Sequence, residues 1–342
     1  MLSQNSLRSL LILAIMMALV VPSYTLAGKT AKAKRLPAIP ADKAIIWQPP
    51  ADISTLDLYY GEGGKEHEPK GKMKFIKEDR TGSQTKFIVQ DQEGVRWKIK
   101  VGPEAQSETV ATRLLWAVGY FTDLTYYKPQ VQIEGMAKYQ RRRPMPGGAV
   151  IRGALQKARL ERLVSDEDKV GEWSWFENPF LNTREFNGLK VMMALINNWD
   201  LKELNNKIYY DDKTDLYHYL VSDLGASFGR TGGKYTRSKN NLKHYVEAPF
   251  IKKVAAYDVD FVLNSRPPFL FWIKRSYWRE RTRMSKIVKD IPRDDAHWIG
   301  QLLAQLSDEQ LQDAFRAAGY QPQEVNMFAN ALRARINALA QL

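Results

Sequence analysis

Three oxygen-bearing side chains stand within one short stretch of this sequence. Asp200 and Asn205 are five residues apart in a polar loop, and Asp223-Leu224-Gly225 follows after two apolar runs. Mg²⁺ takes oxygen ligands and usually keeps several waters, so one amide and one carboxylate suffice to hold it beside phosphates. A second carboxylate that orients a hydroxyl, or accepts its proton, completes the protein's part in phosphoryl transfer. Asp200, Asn205 and Asp223 are therefore candidates for these two tasks, with Mg²⁺ or Mn²⁺ as the metal.

The same chemistry needs positive charge and N–H groups around the phosphates. Gly82 and Ser83 stand between two strand-like runs. A hairpin tip at this point would bring backbone N–H groups and a hydroxyl onto phosphate oxygens, and the nearby Lys86 adds charge. An ordinary surface turn is the alternative interpretation of this stretch.

A pair of lysines ends the next strand-like run, in Trp97-Lys98-Ile99-Lys100. Because successive side chains of a strand point to opposite faces, Lys98 and Lys100 share a face and alternation does not choose between them. Glu108, on the helix that follows, is the expected ionic partner of the lysine, with Glu104 as the alternative. A solvent-facing strand and helix would explain the same residues without a function.

The elements that position these residues fall into a strand-rich part and a helical part. The runs MKFIKED, KFIVQD and VRWKIKV alternate as strands do and are separated by turn residues, which predicts a three-stranded antiparallel meander. An apolar stripe between Pro103 and Gly119 predicts a helix, and TYYKPQVQIEG predicts one or two further strands.

Beyond residue 139 the pattern is mostly helical, with one hairpin. The hairpin has strands at 206–210 and 217–221, so it stands between Asp200 and Asp223. The predicted helices cover residues 153–163, 183–197, 294–306, 307–318 and 322–340.

Together these elements predict an α+β fold with two lobes. A small antiparallel-sheet N-lobe with one helix spans residues 73–138, and a larger, mainly helical C-lobe that contains the hairpin spans residues 139–342. The junction falls near residues 134–140. A cleft between two lobes is a common place for a ligand, and the candidate residues come from both sides of the junction.

In type, order and spacing, these motifs resemble the atypical branch of the protein-kinase-like superfamily. That branch includes HipA-type serine/threonine kinases, phosphatidylinositol kinases, and secretory-pathway and spore-coat kinases. Asp200 and Asn205 match the catalytic-loop pattern D-x-x-x-x-N, and Asp223-Leu224-Gly225 matches Asp-Phe-Gly with a conservative central change. Lys100 matches the last residue of the V-A-I-K strand, and GSQTKF is similar to the G-x-Q-x-K segment of the HipA phosphate loop. The resemblance covers residues 73–230.

The resemblance implies a kinase-like fold that binds ATP or another nucleotide together with Mg²⁺ or Mn²⁺. In such a fold Lys100 reaches the α-phosphate region, Glu108 secures it, and Asp200 is the catalytic carboxylate. The resemblance assigns further nucleotide contacts to Gly82, Ser83, Lys86 and Lys98. It assigns coordination of the metal to Asn205 and Asp223. Two departures from ordinary kinases fit the atypical branch: Asn198-Trp199 stands where His-Arg precedes the catalytic Asp, and no Ala-Pro-Glu follows Asp-Leu-Gly.

The first residues indicate export. An apolar run from Leu10 to Val21 is followed by Thr25 and Ala27, which suit a signal-peptidase site, so residues 1–27 are expected to be a signal peptide. The apolar run is short for a membrane span, and an uncleaved anchor is the alternative. Residues 28–72 are basic and rich in Pro and Gly, which predicts an arm. We therefore expect a periplasmic or extracellular protein without a transmembrane helix after cleavage.

Composition restricts the function without selecting it. A formal net charge of +13 predicts attraction to an anionic partner, such as an acidic protein or an envelope surface, and nucleic acid is a less expected partner. With no cysteine and four scattered histidines, disulfides and cysteine nucleophiles are excluded and a zinc site is not expected. The leading function is an exported kinase that acts on a hydroxyl of a protein, lipid or sugar. The alternatives are an exported pseudokinase and a basic module that binds a polyanion without catalysis.

Overall fold

The computed structural model describes residues 39–80, 84–136, 150–151, 154–163, 169–231, 237–263 and 275–342. The predicted signal peptide lies outside these residues, as do Gly82 and Ser83 of the candidate phosphate loop. Of the predicted arm, residues 39–72 are described.

Strands dominate the first half of the described chain and helices the second. The strands are β1 (Ala44–Ile45), β2 (Met73–Asp79), β3 (Lys86–Gln90), β4 (Arg96–Val101), β5 (Thr125–Glu134), β6 (Val150–Ile151), β7 (Ala154–Arg162), β8 (Lys169–Gly171), β9 (Asn206–Asp211), β10 (Leu216–Val221), β11 (Ile251–Val254), β12 (Asp258–Phe261) and β13 (Ile291–Pro292). The α-helices are α1 (Glu104–Ala117), α2 (Arg184–Leu195), α3 (Leu242–Glu247), α4 (Arg275–Met284), α5 (Arg293–Ala304), α6 (Asp308–Ala317) and α7 (Pro322–Ala340).

The N-terminal sheet closes into a ring of five strands. The antiparallel pairs β2–β3 and β3–β4 form the predicted meander, and β5 lies parallel to β2. β7 then pairs with both β5 and β4, which closes the ring. The short strand β6 pairs with the beginning of β7. We call this five-stranded unit the ring.

β7 corrects the prediction of a helix over residues 153–163. The stretch ALQKARLER consists largely of good helix formers, so its local propensity favours a helix. In the structure it is a strand, and both Leu155 and Leu160 lie in the apolar interior of the ring. Lys157 has a φ of +50°, which interrupts the regular strand geometry. Side chains that follow Lys157 therefore point to the opposite face from the one that alternation along the strand would predict. The sheet therefore continues past residues 134–140, where the sequence places the junction.

The ring holds Lys100 in β4 between two neighbouring strands. Its cross-strand neighbours are Lys86 on β3 and Arg159 on β7. Apolar side chains from all five strands fill the interior of the ring, and Ile99 and Val101 are among them. Because Lys100 alternates with these two residues, its side chain points out of the ring.

Helix α1, which the sequence predicts, is buried on nearly every side. Thirteen of its fourteen residues are buried, and most of its apolar residues belong to the core of the helical lobe. Polar side chains on α1 bond to distant backbone. Gln106 donates to the carbonyl of Gly319 at 3.2 Å, and Ser107 donates to the carbonyl of Gly225 at 2.8 Å. The helix therefore connects the ring to the rest of the chain.

The predicted hairpin is formed by β9 and β10, and β1 and β8 extend it to a four-stranded sheet. β1 comes from the predicted arm and runs parallel to β10. Three further residues of the arm, Ile46, Ile53 and Leu58, are buried in the core of the helical lobe. Residues 44–58 of the arm therefore lie against this lobe, whereas Gly64 and Glu68 contact Tyr126 and Lys128 of the ring.

The helical lobe has well-defined helix ends. Thr183 caps α2 by accepting from the N–H of Phe186 at 3.2 Å. Ser307 caps α6, as the sequence predicts, and the side chain of Gln310 accepts from the N–H of Ser307 at 2.8 Å to complete a capping box. Helices α5, α6 and α7 confirm the three predicted C-terminal helices.

The predicted α+β fold with two lobes is confirmed. A small sheet with one helix comes first, and a larger, mainly helical lobe with a hairpin follows. Within the described ranges, none of the helices combines the length and the apolar character needed to cross a bilayer.

Candidate active site

A cleft of about 710 Å³ is lined by residues of the ring, of α1 and of segment 199–226. Every sequence-predicted site residue within the described ranges lines this cleft: Lys86, Lys98, Lys100, Glu108, Asp200, Asn205 and Asp223. Gly82 and Ser83 are the two predicted residues outside those ranges. The fold therefore brings together residues that the sequence places on two strands, a helix and two loops.

Lys100 is buried, with 3% of its surface exposed. Its Nζ lies 2.8 Å from Oε2 of Glu104, 3.2 Å from Oε2 of Glu108 and 2.5 Å from Oδ1 of Asp223. Both glutamates that the sequence leaves open therefore bind this lysine, and Lys100 rather than Lys98 joins Glu108 to Asp223. Burial alone would lower the pKa of the Lys100 ammonium, but the carboxylates of Glu108, Asp223 and Glu104 raise it above its ordinary value. Lys100 is therefore charged.

Asp223 projects into the cleft from an unusual backbone conformation. Its φ is +55°, in the left-handed region that Asp adopts more readily than most residues. Its side chain is 49% exposed, so the carboxylate stays open to the cleft while Oδ1 bonds to Lys100. Burial would raise the pKa of the Asp223 carboxyl, but Lys100 lowers it to about 2. The carboxylate is therefore ionised at neutral pH, which is the state that a metal ligand requires.

Hydrogen bonds hold Asp200 and Asn205 beside Asp223. Nδ2 of Asn205 donates to the carbonyl of Asp200 at 2.8 Å, and the N–H of Asp200 donates to Oδ1 of Asn198 at 3.1 Å. The N–H of Ser222 donates to the carbonyl of Asn205 at 2.8 Å. Since Ser222 directly precedes Asp223, this last bond joins the two predicted motifs.

Two cations that the sequence analysis did not single out contact Asp200. Nζ of Lys202 lies 2.9 Å from Oδ2, and Nη2 of Arg281 lies 3.0 Å from Oδ1. Arg281 belongs to α4, is buried, and also donates to the carbonyl of Trp199 at 3.1 Å. No local pattern marks Arg281, because it stands in a run of basic residues far along the chain from Asp200. Each carboxylate oxygen of Asp200 is thus oriented by one cation.

Buried ion pairs continue from Glu108 along one wall of the cleft. Nε of Arg159 lies 3.2 Å from Oε2 of Glu108, and Nη2 of Arg159 lies 2.9 Å from Oε2 of Glu161. Glu161 also pairs with Lys98 and lies 3.4 Å from Nζ of Lys207 on β9. Sequence reasoning misses Arg159 and Glu161 because a helix over residues 153–163 would not pair with β4.

Lys86 adds a second ammonium group to the strand pair that carries Lys100. The two lysines are cross-strand partners, and both line the cleft. Burial lowers the pKa of Lys86, and Asp79, at 3.6 Å, opposes that shift. A phosphate in the cleft would offset the repulsion between the two ammonium groups.

The residues proposed for the metal supply oxygen atoms. Asp223 offers an ionised carboxylate that is open to the cleft. Asn205 uses Nδ2 toward Asp200, so its amide oxygen remains the atom for a cation. Hard divalent cations such as Mg²⁺ and Mn²⁺ take this donor set, completed by waters and phosphates. The residues present therefore fit a nucleotide-bound divalent ion.

Lys100→Met is expected to lower the free energy of unfolding by about 3–5 kcal/mol, because Glu104 and Glu108 would lose the buried positive charge that they share. Urea unfolding followed by circular dichroism measures the change. Lys70→Met is the matched control, since Lys70 pairs with Glu93 on the surface, where an ion pair contributes about 1 kcal/mol or less. Equal losses in the two variants would show that the buried carboxylates do not depend on the charge of Lys100.

Comparisons with known proteins give distant likenesses only. No protein-family model and no curated protein matches this sequence. Among solved structures, the proinflammatory kinase CtkA of Helicobacter pylori is similar with a TM-score of 0.44 and 8% identity, over 79% of this chain and 97% of that chain. The Golgi casein kinase is similar with a TM-score of 0.35 and 10% identity, over 80% of this chain and 72% of that chain. Its structure with Mn and ADP bound gives a TM-score of 0.31 and 10% identity, over 79% and 75% of the two chains. These neighbours are kinases, and likenesses at such TM-scores carry no weight for function.

Proposed function

We propose that this chain is an exported, kinase-like phosphotransferase. It binds ATP, or another nucleotide, with Mg²⁺ or Mn²⁺ in the cleft and transfers a phosphate to a hydroxyl of a protein, lipid or sugar. The observation that supports this most directly is the position of Lys100, whose ammonium joins Glu108 of α1 to Asp223. Asp200 and Asn205 line the same cleft. A restrained lysine, oxygen ligands for a metal and a carboxylate that can face the acceptor hydroxyl are the parts that phosphoryl transfer requires.

On the nucleotide side, the ammonium groups of Lys100 and Lys86 neutralise phosphate oxygens. Glu108 keeps Lys100 at the wall of the cleft. Asp223 and Asn205 hold the divalent ion, which supplies charge neutralisation on the phosphates when bound. In this proposal Gly82 and Ser83 donate backbone N–H and hydroxyl hydrogen bonds to the same phosphates. Lys98, which lines the cleft, is a further cation.

On the acceptor side, Asp200 orients the hydroxyl and takes its proton. The acceptor oxygen forms a bond to the γ-phosphorus while the bond from that phosphorus to the β–γ bridging oxygen breaks, and the nucleoside diphosphate leaves. Lys202 lines the cleft 2.9 Å from the Asp200 carboxylate, and in this proposal its ammonium neutralises part of the charge of the phosphoryl group. Arg281 restrains the other oxygen of Asp200.

Metal-dependent stabilisation by a nucleotide tests the proposal. Mg²⁺–ATP at 100 times its Kd is expected to raise the free energy of unfolding of the mature protein by about 2.7 kcal/mol, because the folded cleft binds it and the unfolded chain does not. A thermal-shift panel of nucleotides, each with Mg²⁺, Mn²⁺ or EDTA, measures the effect. The proposal fails if no nucleotide stabilises the protein, or if EDTA makes no difference.

The same panel, repeated over a series of salt concentrations and paired with an assay for released nucleoside diphosphate, separates the alternative functions. A pseudokinase would be stabilised by a nucleotide and metal but would release no nucleoside diphosphate. A polyanion-binding module would respond to anions of many kinds, and its binding would weaken steeply with added salt.

Export and the acceptor are further parts of this proposal. A signal peptide over residues 1–27 would deliver the protein to the periplasm or the medium. Mass spectrometry of the exported protein would demonstrate cleavage if the mature chain begins at Gly28. The net charge of +13 favours an acceptor on an acidic protein or on an anionic envelope surface.

A further inference from the structure

The backbone around Asp223 is held from both sides. A φ of +55° is sparsely populated for a non-glycine residue, and such a conformation persists only where the surroundings determine it. After Asp223, the carbonyl of Gly225 accepts from the hydroxyl of Ser107 on α1 at 2.8 Å. Before Asp223, the N–H of Ser222 donates to the carbonyl of Asn205 at 2.8 Å.

The hydroxyl of Ser222 makes another bond, which leads away from the predicted motifs. It donates to Oδ2 of Asp123, in the connection between α1 and β5. Nζ of Lys207, on β9, donates to both oxygens of Asp123, at 2.9 and 3.2 Å. The same ammonium lies 3.4 Å from Oε1 of Glu161 on β7. The side chains of Asp123, Lys207 and Glu161 are only 9%, 15% and 6% exposed, so salt and water screen these interactions little.

We propose that Asp123 is a positioning residue for the metal site. Through Ser222 it fixes the backbone that turns Asp223 toward the cleft, and through Lys207 it ties the hairpin to the ring. Asp123 is not among the described residues that line the cleft, so it acts on the nucleotide only through these neighbours. This inference deepens the proposed function and rests on it, because it takes Asp223 as a metal ligand.

Calorimetric titration with Mn²⁺ and a non-hydrolysable ATP analogue tests the inference. Asp123→Ala is expected to weaken binding of the metal–nucleotide pair by about 10- to 100-fold, the usual loss when the support of a metal ligand is removed, and to leave binding of the nucleotide without metal unchanged. Asp123→Asn keeps an oxygen that accepts from Ser222 and should recover part of the affinity. Because Ser222 transmits the effect, adding Ser222→Ala to Asp123→Ala should cause little further loss.

Asp215→Ala is the matched control. Asp215 lies at the tip of the same hairpin, pairs with Lys43 at 2.5 Å and stands outside the cleft, so its removal should leave metal–nucleotide affinity unchanged. Should Asp123→Ala fail to fold, Ser222→Ala alone tests the proposal, since it removes one hydroxyl and leaves the ion pair with Lys207 in place. Unchanged affinity in the folded variants, with normal binding by the wild type, would overturn the positioning role alone. A wild type that binds no metal–nucleotide pair would refute the proposed function itself.

Discussion

Asp223→Ala is expected to abolish metal-dependent nucleotide binding while the chain stays folded. Asp223 is the charged ligand of the proposed metal, and the amide of Asn205 alone is too weak a donor to hold a divalent ion beside phosphates. The fold should persist because Lys100 keeps its two buried partners, Glu104 and Glu108. Thermal shift and calorimetry with Mg²⁺–ATP measure the loss of the stabilisation of about 2.7 kcal/mol expected for the wild type.

Two control variants show whether the loss of binding is due to the charge of Asp223. Asp223→Asn keeps the size of the side chain and removes its charge, so it should also lose metal-dependent binding. Asp212→Ala removes an exposed carboxylate outside the cleft and should bind as the wild type does. If Mg²⁺–ATP stabilises Asp223→Ala as much as the wild type, Asp223 is not a metal ligand.

Asp200→Ala is expected to lower turnover by about 10²- to 10⁴-fold, the usual contribution of a general base. Nucleotide affinity should not change, because the carboxylate of Asp200 contacts Lys202 and Arg281 rather than Lys100. Release of ADP from Mg²⁺–ATP, with water as the acceptor hydroxyl, measures turnover without knowledge of the natural acceptor. Calorimetry on the same samples measures affinity.

The effect of Asp200→Ala on turnover must be measured separately from its effect on the stability of the fold. Arg281 is buried and loses an ionic partner in Asp200→Ala, so unfolding curves should accompany the kinetics. Asp200→Asn keeps a side chain of the same shape and should show the same loss of turnover with a smaller loss of stability. Full turnover in both variants would assign the base elsewhere, and lost nucleotide affinity would place Asp200 among the metal ligands.

Short-range patterns were sufficient to predict much of the site. The meander, α1 and the hairpin each follow from the periodicity of a few residues and from turn chemistry. Asp200, Asn205 and Asp223 meet in one cleft because a single hairpin separates them along the chain. The choice between Lys98 and Lys100 needed the structure, since the two lysines share a face of β4 and differ in their partners.

The sequence did not indicate which strands and which charged side chains pair when they are far apart along the chain. The helix formers of β7 mask a strand whose conformation depends on two partner strands, and the closure of the ring depends on that strand. Arg281 and Lys207 reach carboxylates far away along the chain, and no local spacing records such contacts. Buried ion pairs between distant elements therefore had to be read from the structure.

The burial of α1 on nearly every side restricts its movement relative to the ring. In many kinases the helix that carries the glutamate moves, and its movement makes or breaks the lysine–glutamate pair. Here such a swing would expose Val110, Leu114 and Leu115, at a cost on the order of 1.5–3 kcal/mol for each side chain. We therefore expect the contact between Lys100 and Glu108 to persist in the folded chain, so that under the proposed function no movement of α1 is needed to form it. Under the proposed function, we expect regulation to act on access to the cleft rather than on the position of α1.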